Sequence, residues 1–211
     1  MSTVGKEPDT RERIRRAAAT LFREKGFHGT SMQDLADAVG ITKSSLYHHF
    51  ASKQALLADI VAATVERVTP MIEAAAASDR PAAGRLHLAV RLHTIEAIRD
   101  RDAVACFVEE GRHLAPAFIE AHVSKRDGYE GYFRRILADG IVSGEFRPHD
   151  VPLTAMAILG LCNSVVRWYR AEGAHSPEEI AEEFADFAVH GVITGASDLL
   201  IMEEVSRGRR A

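Results

Sequence analysis

Cysteine and tryptophan are nearly missing from these 211 residues: there are two of the first and one of the second. Two cysteines far apart, Cys106 and Cys162, cannot make the framework of a disulfide-stapled domain or the paired ligands of a zinc ribbon. Both lie in apolar, helix-like surroundings, where a free thiol packs as a small hydrophobe. The alternative, a redox switch, needs an exposed thiol of low pKa, and nothing nearby marks one. Alternating runs of Val, Ile and Thr are also absent, which argues against a half-buried sheet. No apolar run approaches the ~20 residues that span a bilayer. Residues 1–10 are polar, without the apolar centre of a signal peptide. The expectation is a cytoplasmic protein with no membrane partner. There is no phosphate-binding Gly loop, Ser-centred nucleophile elbow or spaced Cys pair. The adjacent carboxylates Glu109 and Glu110 point apart on a helix. The chain is therefore expected to be no enzyme and to carry no cofactor.

The residues that are present, 46% hydrophobic and 27% charged, are those of an ordinary globular protein. The net charge of −4 is unevenly spread: residues 1–60 carry +2 and the remainder −6. Arg11, Arg13, Arg15, Arg16, Lys43 and Lys53 gather in the first part. That is how an N-terminal reader of phosphate on an acidic body would look.

Ala, Glu and Arg in 3.6-residue periodicity predict an all-α fold. A first helix over 10–25, capped by Asp9 or Thr10, carries the stripe Ile14, Ala17, Ala18, Leu21 and Phe22. Gly26 is placed to end it in a left-handed C′ conformation. Thr30 or Ser31 starts a second helix, Thr30/Gln33 and Ser31/Asp34 both having capping-box spacing, and Gly40 closes it. Thr42 caps a third helix over 43–49, and Ser52 a fourth running to about residue 77. Longer helices follow near 81–99, 102–113, 116–143, 149–171 and 176–203, punctuated by Pro81, Pro116, Gly144, Pro148, Gly173 and Pro177.

The informative stretch is 30–53, TSMQDLADAVGITKSSLYHHFASK. Two short helices joined through a Gly-containing turn, the second rich in hydroxyls, fit a helix-turn-helix. A reading helix must bury one stripe, here Ile41, Leu46 and Phe50, and show small polar groups to the major groove. Thr42, Lys43, Ser44 and Ser45 stand at its N-terminal end, where the helix dipole favours phosphate and Lys can donate to guanine. Tyr47, His48 and His49 offer further donors, and Lys53 can reach a flanking phosphate. Tyr47, His48 and His49 can equally serve only to pack the domain.

Residues 10–60, through LFREKGF, TS, DLADAVGI, K-x-S-LYHHF and SK, closely resemble the DNA-binding domain of the TetR family of bacterial regulators. The resemblance implies that Thr30 and Ser31 hold phosphate at the start of the second helix. It implies that Thr42, Lys43 and Ser45 reach base edges or nearby phosphates, and that Tyr47, His48 and Lys53 fix the backbone. Ser44 stands where family members often carry Gly, which bears on operator identity.

It further implies an organisation: a disordered leader at 1–9, a three-helix helix-turn-helix domain at 10–58, and a larger helical ligand-binding and dimerisation domain at 59–211 (about nine helices). The implied partners are a palindromic double-stranded operator, a second copy of the chain, and a small-molecule effector. Leu161, Val165 and Trp168, with Phe184, Phe187, Ala188, Val192 and Gly195, form the stripes expected to make a four-helix bundle across the dimer twofold axis. They can also face their own core.

The segment 86–133 places His87, Arg91, His93, Cys106, Phe107, Glu110, His113, Phe118, His122, Tyr129 and Phe133 on core helices, a lining suited to a hydrophobic acid or thioester. SVVRWYR at 164–170, and the stretch after it, resemble TetR regulators of lipid and sterol catabolism, several of which respond to acyl-CoA thioesters. The candidate ligand residues are Arg91, Phe107, Glu110, His113, Phe133, Arg167 and Trp168. Arg167 and Arg170 can serve anionic phosphates or pair with Glu172 and Glu178. Glu109, Glu110 and His113 share a helix face and His122 follows, but with ten His such spacings arise by chance, and no metal site is expected. The functional expectation is a repressor released from its operator by a small hydrophobic ligand. The alternative is a DNA-binding regulator with no small-molecule effector.

Overall fold

Helix formers dominate the chain, and in the computed structural model, which describes residues 9–193, the backbone is all-α apart from one isolated bridge between Phe146 and Ile193. The leader before Asp9, and the part of the last expected helix beyond 193 with Gly195, lie outside the described residues. The helices are α1 (Thr10–Gly29), α2 (Met32–Val39), α3 (Lys43–His49), α4 (Lys53–Ala77), α5 (Ala82–Arg99), α6 (Arg101–Ala105), α7 (Pro116–Ser143), α8 (Val151–Asn163), α9 (Val165–Trp168) and α10 (Pro177–His190).

Two compact units result. The first holds residues 9–70 together with 96–129 and 163–172; the second holds 71–95, 130–162 and 173–193. By packing, therefore, the unit that contains the helix-turn-helix extends well past residue 58. Pro70, inside α4, lies at the division. It lacks the N–H that would bond the preceding turn.

In the first unit, Ile14, Ala18 and Phe22 of α1 are fully buried with Leu35, Leu46, Leu56 and Leu57. Each large apolar side chain withdrawn from water contributes about 1.5–3 kcal/mol. Asp9 precedes α1 without a side-chain cap; its carbonyl accepts from Arg13 N at 3.0 Å. Gly26 breaks α1 as the sequence predicts, but at φ 75°, ψ 158°, a conformation open essentially to Gly alone. A short helical turn follows and returns Phe27 onto Phe22, ring centroids 5.3 Å apart. The stretch expected as plain helix over 102–113 is α6, then a wide π-helical turn Cys106–Glu110, then a 3₁₀ turn Gly111–His113.

In the second unit, Gly140 of α7 is the seat of Phe146: a Cβ there would lie 2.1 Å from the Phe146 ring. Gly144 (φ 78°) turns the chain between them. Ser176 opens α10 with a full capping box to Glu179, with Pro177 at the first helical position. Cys162 is buried here and Cys106 in the first unit. Burial pushes the Cys162 thiol up to about 12 and the Cys106 thiol higher still, so both are inert packing residues.

Candidate nucleic-acid interface

Two local devices set the reading helix. Ser31 caps α2: its hydroxyl accepts from Asp34 N at 3.1 Å, and its own N–H donates to Asp34 Oδ2 at 2.8 Å. The Ser31/Asp34 box is thus the one formed, and Gln33 instead donates to Asp37 at 2.8 Å. The Ser31 hydroxyl and amide hold the Asp34 carboxyl below its usual 3.8. Gly40, at φ 74°, ψ 37°, ends α2 in the left-handed region. Thr42 then caps α3, its hydroxyl accepting from Ser45 N at 3.1 Å.

Helix α3 buries Leu46 and leaves Thr42, Lys43, Ser44, Tyr47 and His48 exposed; Ser45 and His49 are half-buried. Tyr47 keeps 46% of its surface in water. Phe50 closes the core beneath, with the Arg11 guanidinium 4.3 Å above its ring; Arg11 also donates to the His49 carbonyl at 3.2 Å. The face at 42–48 is therefore small, polar, basic at Lys43, and held by its own caps.

Two residues expected at phosphate do something else. Thr30 is only 1% exposed, and its hydroxyl donates inward to the Gly26 and Leu21 carbonyls, at 3.0 and 3.3 Å. It ties the end of α1, its hydroxyl turned away from water. Lys53 donates from Nζ to the Phe27 and Thr30 carbonyls, at 2.6 and 2.7 Å, and lies 4.4 Å over the Phe27 ring. Burial lowers its pKa. Lys53 clamps the α1–α2 turn. Ser31 remains exposed, with its hydroxyl engaged by Asp34.

The seven candidate ligand residues do not form one group. Five are in the first unit. Phe107 meets the His122 ring edge-on at 5.4 Å. Glu110 accepts from Phe27 N at 3.1 Å. His113 stands 3.7 Å from Glu110 and 3.3 Å from His28. Arg167 donates to Glu109 at 3.0 Å, an acid the sequence reading did not pair with it. Trp168 is 48% exposed, its indole N–H donating to Ser164 Oγ at 3.2 Å. The other two are in the second unit, where Arg91 pairs with Glu182 at 3.1 Å and Phe133 is fully buried against His93.

Sequence reasoning missed the polar ties that hold 102–115 to the head. Thr20 Oγ1 and Arg23 Nε donate to Asp102. Gln54, in the first turn of α4, donates to His113 O at 2.8 Å and accepts from Ala115 N at 2.9 Å. Periodicity carries no signal for such single long-range bonds. Beside them, Val61, Val65, Leu114 and Phe118, with His122 and Lys125, line an apolar cavity of about 170 Å³. Burial lowers the His122 pKa.

Val151–Trp168 is an 18-residue stretch of mean hydropathy 1.3. By length and composition it is apolar enough to cross a membrane, which the sequence reading did not notice, and only 28% of it is buried. Leu153, Met156, Ala157 and Gly160, at i, i+3, i+4 and i+7, form its exposed stripe. On α10, Phe187 is 68% exposed. Of the expected dimer stripes, Val165, Ala188 and Val192 face their own cores instead.

The profile described as "Bacterial regulatory proteins, tetR family" matches residues 14–60, and that described as "Tetracyclin repressor-like, C-terminal domain" matches residues 79–192. The transcriptional repressor KstR2 of Rhodococcus jostii is 30% identical over 83% of this chain and 87% of its own. The structure of the ketosteroid transcriptional regulator KstR2 of Mycobacterium tuberculosis superposes with a TM-score of 0.81 at 26% identity, covering 92% of this chain and all of that one. AibR in complex with isovaleryl coenzyme A and operator DNA, 23% identical over 85% of this chain and 97% of its own, shares the fold at a TM-score of 0.77. With its helix-turn-helix and its helical body both matched, this chain belongs to the TetR family of bacterial regulatory proteins.

Proposed function

We propose that the chain is a homodimeric transcriptional repressor that reads a palindromic operator with α3 and is released by a small hydrophobic ligand, an acyl-CoA or related acid. The observation that carries the reading is α3 itself: a capped seven-residue helix with Leu46 inward and Thr42, Lys43, Ser44, Tyr47 and His48 in water. Lys43 and Ser45 read base edges, and Tyr47 and His48 hold phosphate. One such helix makes few contacts; two on a twofold axis double them and demand an inverted repeat. Residues 10–58 supply the reader, and the remainder the effector site and the dimer contact. The stripe Leu153, Met156, Ala157 and Gly160 with Phe187 is the apolar surface suited to that contact.

The effector reading draws on the cavity of about 170 Å³, the size of a space that holds a benzene ring, with Lys125 beside it for an acid group. The M. tuberculosis relative is described as a ketosteroid transcriptional regulator and AibR was crystallised with isovaleryl coenzyme A; hydrophobic carbon skeletons are what the two names have in common. Phe107, against the His122 ring, serves apolar contact. Glu110, His113, Arg167 and Trp168, in the same unit as the cavity, are the polar and stacking groups for the rest of the molecule, Arg167 exchanging Glu109 for phosphate.

Selection from a random duplex pool, followed by fluorescence anisotropy, tests the reading. The selected sites should be imperfect inverted repeats, and affinity should fall steeply with salt. Saturating acyl-CoA should weaken operator binding and, by linkage, operator should weaken acyl-CoA binding by the same factor. Indifference to every duplex at low ionic strength sinks the DNA reading; tight operator binding that no acyl-CoA alters sinks the effector alone.

A further inference from the structure

The second unit brings His87 together with two acids 95 or more positions further along the chain. His87 of α5 presents Nε2 to two carboxylates of α10, 3.2 Å from Glu182 Oε1 and 3.4 Å from Asp186 Oδ1. Glu182 and Asp186 are four residues apart, so one helical turn stacks them on the same face. Arg91, likewise one turn beyond His87, donates from Nε to the other Glu182 oxygen at 3.1 Å. The three donor atoms all lie within 4.8 Å of one another.

We infer that His87, Glu182 and Asp186 form a site for a zinc-class divalent cation that clips α5 to α10. Tetrahedral ligands at bond lengths of about 2.0–2.1 Å stand roughly 3.3–3.4 Å from one another, and the imidazole nitrogen is already at that spacing from each oxygen. One imidazole with two carboxylates suits Zn²⁺ and its first-row neighbours. Mg²⁺ and Ca²⁺ prefer oxygen donors throughout. Glu182 divides its oxygens in the manner of a metal-binding carboxylate, one toward the site and one held by Arg91 as an outer partner. The half-exposed setting of His87 and the exposure of both acids give the ion access and leave its fourth position to water. The competing occupant is a proton on His87 shared between the two carboxylates.

Isothermal titration of the metal-free, full-length protein with Zn²⁺ tests this without DNA, so its outcome is independent of the operator reading. One Zn²⁺ per chain is expected, with no binding of Mg²⁺. His87→Gln and Asp186→Asn should each weaken Zn²⁺ about tenfold or more. Their helical circular dichroism without metal should match the parent. Zn²⁺ should raise the unfolding midpoint of the parent but not of these variants. X-ray absorption of the Co²⁺-loaded parent should report one imidazole among oxygen donors. Zinc bound with parental affinity in both variants, a coordination shell of several imidazoles or of sulfur, or no binding at all overturns the assignment.

Discussion

Helices α3 and α8 both turn side chains toward water, but of opposite kinds. On α3 they are hydroxyls, an ammonium, a phenol and an imidazole; on α8 they are Leu153, Met156, Ala157 and the bare backbone at Gly160. Water solvates the first surface at no cost, so α3 can wait indefinitely for a polar partner and exchange water contacts for groove contacts. Water penalises the second at about 25 cal/mol for each Å² left exposed, so covering α8 with something apolar is favourable. On the proposed reading, the difference is that between a surface for reversible reading and one for lasting assembly.

Placing a charge on the apolar surface should have the largest effect. Met156→Asp or Phe187→Asp would bury an unpaired carboxylate at the dimer contact, and should convert the dimer to monomer in sedimentation and weaken operator binding about 100-fold or more. A variant that sediments as the parent does breaks the comparison. Next, Lys43→Ala or Ser45→Ala should cost about tenfold at the selected operator and much less on random duplex, removing sequence preference at one position of each half-site. Lys53→Met should act inside the head: two carbonyls lose a charged donor, for about 1–3 kcal/mol in urea unfolding, while the salt dependence of DNA binding keeps its slope. A slope reduced by about one contact per subunit would return Lys53 to the phosphate-binding surface. The smallest effect belongs to Tyr47→Phe, about threefold in affinity and equal for all sequences.

Where the chain is governed by nearest neighbours, it was legible. Gly26, Gly40, Thr42 and Ser52 each act where the sequence puts them, because caps and positive-φ turns are local physics. The break after α8 and the wide turn after Val104 and Ala105 were not legible, since no Gly or Pro stands there to announce them. Thr30 and Lys53 bond carbonyls within the head, and this was not legible because the same hydroxyl or ammonium serves a carbonyl as readily as a phosphate. The expected stripe Leu161, Val165 and Trp168 runs across the break after α8: Val165 is as apolar as Leu153 and Met156 yet buried, and periodicity cannot say which of two apolar faces looks inward. His87 and its two acids are 95 or more positions apart in the chain, and no spacing rule joins them.

The π-helical turn Cys106–Glu110 has one further consequence. A π turn accommodates one residue more than an α turn, and each residue of an α-helix accounts for about 100° of rotation. Tightening this turn to ordinary pitch would swing Glu110 around the helix axis by roughly that amount and pull its carboxylate off the Phe27 amide. A slip of a single residue in hydrogen-bond register would thus undo a tether to the far side of the Gly26 break, with every helix left intact.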